Sequence, residues 1–180
     1  MIAADRVAAV LLAAGASSRF GPANKLHADL GGRPLVTHAA TTLRAVGFGG
    51  LIAVCGPATA PMLDGFDVVI NDAPGEGQAR SIRLGVAHAL TFDVDAVLVA
   101  LGDMPFVTEA HLRALLAADG DMAASALDGQ AMPPALFSRT RAQALLGLEG
   151  GRGAGRLLAD ATLVPGDAAL LADIDRPSDL

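Results

Sequence analysis

Short, uniformly apolar runs alternate along this chain with longer stretches in which apolar residues recur every three or four positions. Val7–Ala13, Leu51–Val54, Val68–Ile70, Ala96–Leu101 and Met122–Ala126 read as candidate strands, the fully apolar first run as a buried parallel one. Between them the spacing predicts helices over Leu35–Val46, Ala79–Ala89, Glu109–Ala117, Ser138–Leu146 and Gly155–Ala159. Val36, Ala39, Ala40, Leu43 and Val46 make one apolar stripe; Leu112, Leu115 and Leu116 make another, with Thr108 as the expected N-cap. Strands and helices in alternation predict an α/β fold, a mostly parallel sheet covered on both faces. The pattern weakens after about Gly120, where Gly129, Pro133, Pro134 and a glycine-rich stretch from Gly147 to Gly155 interrupt it.

In such sheets ligands lie at the carboxyl ends of the strands, and the three chemically richest segments all fall there. The first follows Val7–Ala13 and runs Ala14-Gly15-Ala16-Ser17-Ser18-Arg19-Phe20-Gly21 to Lys25. It lacks the Gly-Lys-Ser/Thr ending of a P-loop. Backbone N–H groups around Ala14 to Ser17, the planar fork of Arg19 and the point charge of Lys25 suit phosphate oxygens. Lys25 is expected as an exposed lysine that returns over the strand end when the loop closes on its ligand. The second segment, Gly102-Asp103-Met104-Pro105, ends the most apolar strand with a carboxylate. Because Thr108 already caps the next helix, Asp103 is free to hold Mg²⁺, an ion that takes one or two carboxylates plus water and phosphate.

The third segment, Asn71 to Ser81, contains Gly75-x-Gly77-x-x-Arg80, one glycine short of a dinucleotide fingerprint. The missing glycine is the one that packs helix on strand, so an NAD site is a poor reading. Gly75 and Gly77 would let backbone approach a nucleoside, with Asn71 or Ser81 hydrogen-bonding to it. At the chain's close, Asp173 and Asp175 flank Ile174 and would lie on one face of an extended segment, offering a second metal ligand. Asp175 could equally cap a helix beginning near Pro177. His27, His38, His88 and His111 show no metal-ligand spacing, and Cys55 has no evident histidine partner for acyl transfer.

Composition narrows the partners. The 180 residues suit a single domain spanning 1–180, and 52% hydrophobic content excludes a disordered chain. A net charge of −6 argues against nucleic acid and leaves the cationic first loop as a place for a small anion. No apolar run approaches the ~18 residues of a membrane span. A single cysteine, Cys55, allows no internal disulfide, and with no leader pattern the expected compartment is the cytoplasm.

The order L-A-A-G-x-S-x-R-x-G-x-x-K, then Asn71–Ser81, then Leu101-Gly102-Asp103-Met104-Pro105, then Asp173-Ile174-Asp175-x-Pro177-x-Asp179-Leu180 resembles the MobA-like nucleotidyltransferases, most of all molybdenum cofactor cytidylyltransferases. The resemblance implies a Rossmann-like, three-layer fold of the nucleotide-diphospho-sugar-transferase type. It also implies that a phosphate-bearing acceptor attacks the α-phosphorus of a nucleoside triphosphate with Mg²⁺ as cofactor. The nucleotide set it implies is Leu12, Ala13, Ala14, Gly15, Ser17, Arg19, Lys25, Asn71, Gly77 and Ser81. Arg19, Lys25 and Asp103 would be catalytic, and Asp103, Asp173 and Asp175 would serve the metal. The nucleotide-binding part would be about residues 1–118 and the acceptor-binding part about 119–180. Leu12-Ala13-Ala14-Gly15, where guanylyltransferases tend to have Leu-Ala-Gly-Gly, implies CTP; the acceptor would be molybdopterin and the product would go to a molybdenum hydroxylase. Other phosphorylated acceptors, GTP, or a nucleotide-binding accessory role are the competing readings. Two departures fall in the acceptor part. Met132-Pro133-Pro134 stands where cytidylyltransferases often have Gly-His-Pro, and Gly150-Gly151-Arg152-Gly153-Ala154-Gly155-Arg156 where they often have Gly-Asp-x-Gly-Ala-Arg.

Overall fold

The computed structural model describes residues 1–15, 20, 24–149 and 157–180. At its centre lies β1 (Val7–Ala13), all seven residues of which are buried. Val7, Ala9, Leu11 and Ala13 pack into one core, and Ala8, Val10 and Leu12 into another. Successive side chains of a strand point to opposite faces, so this division shows that both faces are covered. The first core is closed by α1 (Leu35–Val46) and α3 (Glu109–Ala117), the second by α2 (Gln78–Ala89) and α4 (Arg139–Leu145). The result is three layers, helix–sheet–helix.

A tiny hairpin of β2 (Asp29–Leu30) and β3 (Arg33–Pro34) precedes α1. The main sheet adds β4 (Gly50–Cys55), β5 (Asp67–Ile70), β6 (Ala96–Leu101), β7 (Met122–Leu127), β8 (Gln130–Ser138) and β9 (Thr162–Pro165), in the order β5-β4-β1-β6-β8-β7-β9. β1 lies parallel to β4 on one side and to β6 on the other, with Ala8 opposite both Gly50 and Val97. From β1 the chain builds outward through β4 to β5, then returns through α2 to start again at β6. The reversal places a crevice at the carboxyl ends of β1 and β6, the position at which open α/β sheets hold their ligands.

All five expected strands form, and Thr108 caps α3 by accepting a hydrogen bond from the His111 N–H at 3.3 Å. Ser138, expected as the first residue of α4, is instead its N-cap, accepting from the Arg141 N–H. The expected helix over Gly155–Ala159 falls largely outside the described residues. β8 runs antiparallel through the prolines that were expected to break the pattern. Ser125 pairs with Met132 while Ala124 pairs with Ala135, so Pro133 and Pro134 occupy a bulge; the pairing of β8 with β6 reaches only Ala135. Proline is tolerated where the ladder asks for no N–H, and the bulge is such a place.

Close packing of α2 on the sheet relies on a glycine later than any in the Gly75–Arg80 motif. A Cβ at Gly85 would lie 2.3 Å from Val10 Cγ1 and 2.8 Å from Val54 Cγ2. Gly85→Ala is therefore expected to destabilise the fold by about 1–3 kcal/mol, the usual cost of overpacking a tight core. A urea unfolding midpoint unchanged from the parent would contradict this packing. Among the described residues no helix is long and apolar enough to cross a membrane.

Candidate active site

The crevice at the ends of β1 and β6 is a cleft of about 320 Å³. Leu12, Ala14 and Gly15 approach it from β1, Lys25 and Leu26 from the following turn, Gly75, Gly77, Gln78 and Ser81 from the start of α2, and Asp103 from β6. Three segments far apart in sequence thus meet where the sequence places its chemistry. Ala13 is buried in the core beside them. Ser17 and Arg19, and the altered Gly150–Arg156 stretch, lie outside the described residues.

Lys25 opens a single helical turn, Lys25–His27, whose N–H at Leu26 is accepted by the Asn24 side chain at 3.0 Å. Leu26 is driven into the core, and His27 Nε2 pairs with the buried Thr59 hydroxyl at 3.0 Å. Anchored on both sides, Lys25 Nζ donates to Asp103 Oδ2 at 2.7 Å and to Asp175 Oδ1 at 2.8 Å. Its side chain is only 13% exposed. The expectation of an exposed lysine brought back by ligand closure is corrected: two carboxylates hold it over the strand end. Burial acts against its charge, but hydrogen bonds and attraction to Asp103 and Asp175 outweigh that and raise its pKa above the ordinary lysine value.

Asp103 stands on a rigid base. Gly102 N–H donates to the Leu12 carbonyl at 2.9 Å, prolonging the β1–β6 contact, and Met104 is buried. The last residues of the chain dock onto the same turn: Ile174 N–H donates to the Asp103 carbonyl at 2.9 Å and the Ile174 side chain enters the core. That bond brings Asp175 beside Asp103. Asp173 is exposed, while Ile174 between the two carboxylates is buried. Asp175 does not cap the final turn, Pro177–Asp179: Arg176 is its N-cap, and Asp179 completes a capping box by accepting from the Asp175 and Arg176 N–H groups at 3.0 and 2.8 Å.

The Asn71 side chain is engaged within the protein. It is buried, donating from Nδ2 to Ser81 Oγ at 2.9 Å and accepting at Oδ1 from the Ala73 N–H and Arg80 Nε, both at 3.0 Å. Its amide shapes the loop from behind the cleft wall, while Ser81 lines the cleft itself. Arg80, the last residue of the Gly75-x-Gly77-x-x-Arg80 motif, adds bonds to Asp72 at 2.7 Å and Glu76 at 3.1 Å and so holds the loop closed on itself. The four-residue spacing of Glu76 and Arg80 was the available signal. Gly77 has φ of +89°, a conformation that favours glycine, and it starts α2 with no side-chain cap. Among the described residues no side chain caps the first-turn N–H groups of α2, which stand at the cleft edge.

A family model described as the MobA-like NTP transferase domain matches residues 9–166. The chain belongs to this family. Purine catabolism protein PucB of Bacillus subtilis is 37% identical over 111 residues, 58% of this chain and 54% of PucB; the chain spans about half the length of that relative. Among solved structures, Rv0371c of Mycobacterium tuberculosis H37Rv superposes with a TM-score of 0.83 at 27% identity over 97% of this chain and 95% of that one. Rv0371c is also known in complex with manganese, with a TM-score of 0.80 at 25% identity over 97% and 95% of the two chains. Mth528, a nucleotidyl transferase from Methanothermobacter thermautotroptrophicus, gives a TM-score of 0.80 at 26% identity over 97% of this chain and 94% of that one.

MobA-like transferases handle highly charged phosphates, and the donor set here fits a divalent cation. The Lys25 ammonium lies between one oxygen of Asp103 and one of Asp175, so the site already prefers positive charge. Both carboxylates remain partly accessible, at 20% and 37%. Among the described residues no group of three or more histidine, cysteine or acidic side chains is arranged for a metal. Two carboxylates with the balance supplied by water and phosphate suit Mg²⁺ or Mn²⁺ better than a closed protein cage. The buried His111 is no rival centre. Its Nε2 lies 2.8 Å from Ser125 Oγ, which donates to the Pro134 carbonyl, and burial pushes its pKa down.

Proposed function

We propose that the chain is a Mg²⁺-dependent nucleotidyltransferase that moves CMP from CTP onto the phosphate of molybdopterin and releases pyrophosphate. The observation that carries this reading is the Lys25 bridge between Asp103 and Asp175 at the mouth of the cleft. It gathers both a cation for phosphate and two carboxylates for a metal at the topological switch point. The acceptor phosphate oxygen forms a bond to the α-phosphorus. The α–β bridging bond breaks, and its electron pair leaves with pyrophosphate. A phosphate monoester already carries about −1.5 to −2 charge at pH 7, so the nucleophile needs no general base. Relief of charge repulsion is the main requirement. When bound by Asp103 and Asp175, Mg²⁺ would supply part of it by neutralising phosphate charge. Lys25, Arg19 and the backbone N–H groups near Gly15 to Ser17 would hold the triphosphate in line.

Residues 1–118 supply most of the cleft in this reading, and residues 119–180 serve the acceptor while lending Asp175 to the metal. CTP is preferred on the Leu12-Ala13-Ala14-Gly15 version of the loop. Competition binding is expected to favour CTP over GTP by at least about tenfold, or ~1.4 kcal/mol. Equal or tighter GTP binding would contradict the cytidylyl assignment. PucB's name places it in purine catabolism, which supports a second reading: a nucleotide-binding accessory protein for a molybdenum hydroxylase. Tight CTP binding with no pyrophosphate release would favour that role.

A further inference from the structure

Thr59 follows β4 and starts the single turn Ala60–Met62, a position at which a threonine hydroxyl commonly caps its own turn. Here it makes no such bond. Thr59 is 1% exposed, and its Oγ1 reaches instead to the segment that carries Lys25, 3.0 Å from His27 Nε2 and 3.4 Å from Asn24 Nδ2. Asn24 Oδ1 accepts from the Leu26 N–H at 3.0 Å, which turns the amide nitrogen toward Thr59 and His27. That nitrogen only donates, and it lies 3.4 Å from Thr59 Oγ1 and from His27 Nε2 alike. Thr59 Oγ1 therefore accepts from Asn24 and gives its own proton to an unprotonated His27 Nε2. One buried hydroxyl thus ties the residue before Lys25, and the residue two after it, to the end of β4.

We propose that Thr59, acting with His27, is a positioning residue for Lys25 in the transfer step. The kinetic consequence rests on the nucleotidyl-transfer reading; the brace itself does not. At rest Asp103 and Asp175 hold the head of Lys25, at 2.7 and 2.8 Å. The same two carboxylates are the ones that would take a divalent cation, and an oxygen shared with a metal holds an ammonium less firmly. The long, flexible lysine stem is then governed by its base. Burial of Leu26 fixes that base from one side and the Thr59 hydroxyl from the other. A misplacement of about 1 Å in a catalytic group can lower a rate by about 10²-fold, so the brace acts on turnover and leaves nucleotide binding alone.

The test uses Thr59→Val in the full chain, which keeps the shape and removes the hydroxyl, with His27→Leu in its place if that variant folds poorly. Pyrophosphate release from CTP with Mg²⁺ and molybdopterin is expected to show kcat lowered at least about tenfold and KM for CTP within about twofold of the parent. Thr59→Ser should restore the rate. In a Lys25→Met background Thr59→Val should have no further effect, because a positioning residue matters only while the group it positions is present. Titration of Mn²⁺ without nucleotide reads the brace with no turnover. A loosened ammonium competes less for Asp103 and Asp175, so Thr59→Val should bind Mn²⁺ at least about threefold more tightly, and again not in the Lys25→Met background. An equal rate loss in Lys25→Met, a rise in KM alone, or an Mn²⁺ affinity that Thr59→Val leaves unchanged would overturn the positioning role and leave nucleotidyl transfer standing. A parent protein that releases no pyrophosphate would overturn the transfer reading, and the Mn²⁺ comparison would still decide the brace.

Discussion

Asp103→Asn is expected to remove turnover, by a factor of at least about 10²–10³, while the fold stays intact. The substitution keeps the shape of the side chain but takes away the charge that faces Lys25 at 2.7 Å. The backbone contacts of the turn, Gly102 N–H to Leu12 and Ile174 N–H to the carbonyl of residue 103, do not depend on that charge. Circular dichroism and the unfolding midpoint should therefore stay near those of the parent, and steady-state rates at saturating Mg²⁺ carry the result. A folded variant that turns over as fast as the parent would remove Asp103 from the site.

Lys25→Met separates two roles of one ammonium. If Lys25 stabilises charge as pyrophosphate departs, kcat and kcat/KM should fall together, on the order of 10²–10³-fold. A rise in KM alone would restrict Lys25 to ground-state binding. The same variant should bind Mn²⁺ more tightly in the absence of nucleotide, because Asp103 and Asp175 lose the cation that now bridges them. Titration of free Mn²⁺ by electron paramagnetic resonance reads that effect without any turnover. An unchanged Mn²⁺ affinity would show that the ammonium and the metal do not compete. The folded-state pKa of Lys25 is raised, so with both carboxylates ionised these pairs support the fold fully up to the ordinary lysine value of about 10.5. On the alkaline side their contribution is lost as pH rises through the higher folded value, and neutral-pH assays therefore report a charged Lys25.

The strands around the site were legible because a parallel strand covered on both faces has little choice but to be continuously apolar. β1 and β6 match their sequence readings residue for residue. β8 was not, since its two prolines argue locally against a strand and only the long-range register with β7 reveals the bulge that accommodates them. The site divides in the same way. Lys25, Asp103, Gly77 and Ser81 are evident from residue type and position at strand ends, and they do converge. The choice of Asp175 over Asp173 was out of reach, because alternation treats the two alike. One tertiary bond, from Ile174 to Asp103, accompanies the placement of Asp175 against Lys25, and no local pattern encodes it. Asn71 stood out for the right loop, but its partners Ser81, Ala73 and Arg80 turn it into a brace.

The most direct test is ³¹P nuclear magnetic resonance of the purified chain with CTP, Mg²⁺ and molybdopterin. Nucleotidyl transfer predicts one pyrophosphate for each cytidylated acceptor, with the acceptor's monoester signal replaced by that of a new P–O–P linkage. Bound CTP with neither pyrophosphate nor the new linkage, for molybdopterin and for other phosphorylated acceptors alike, would contradict it.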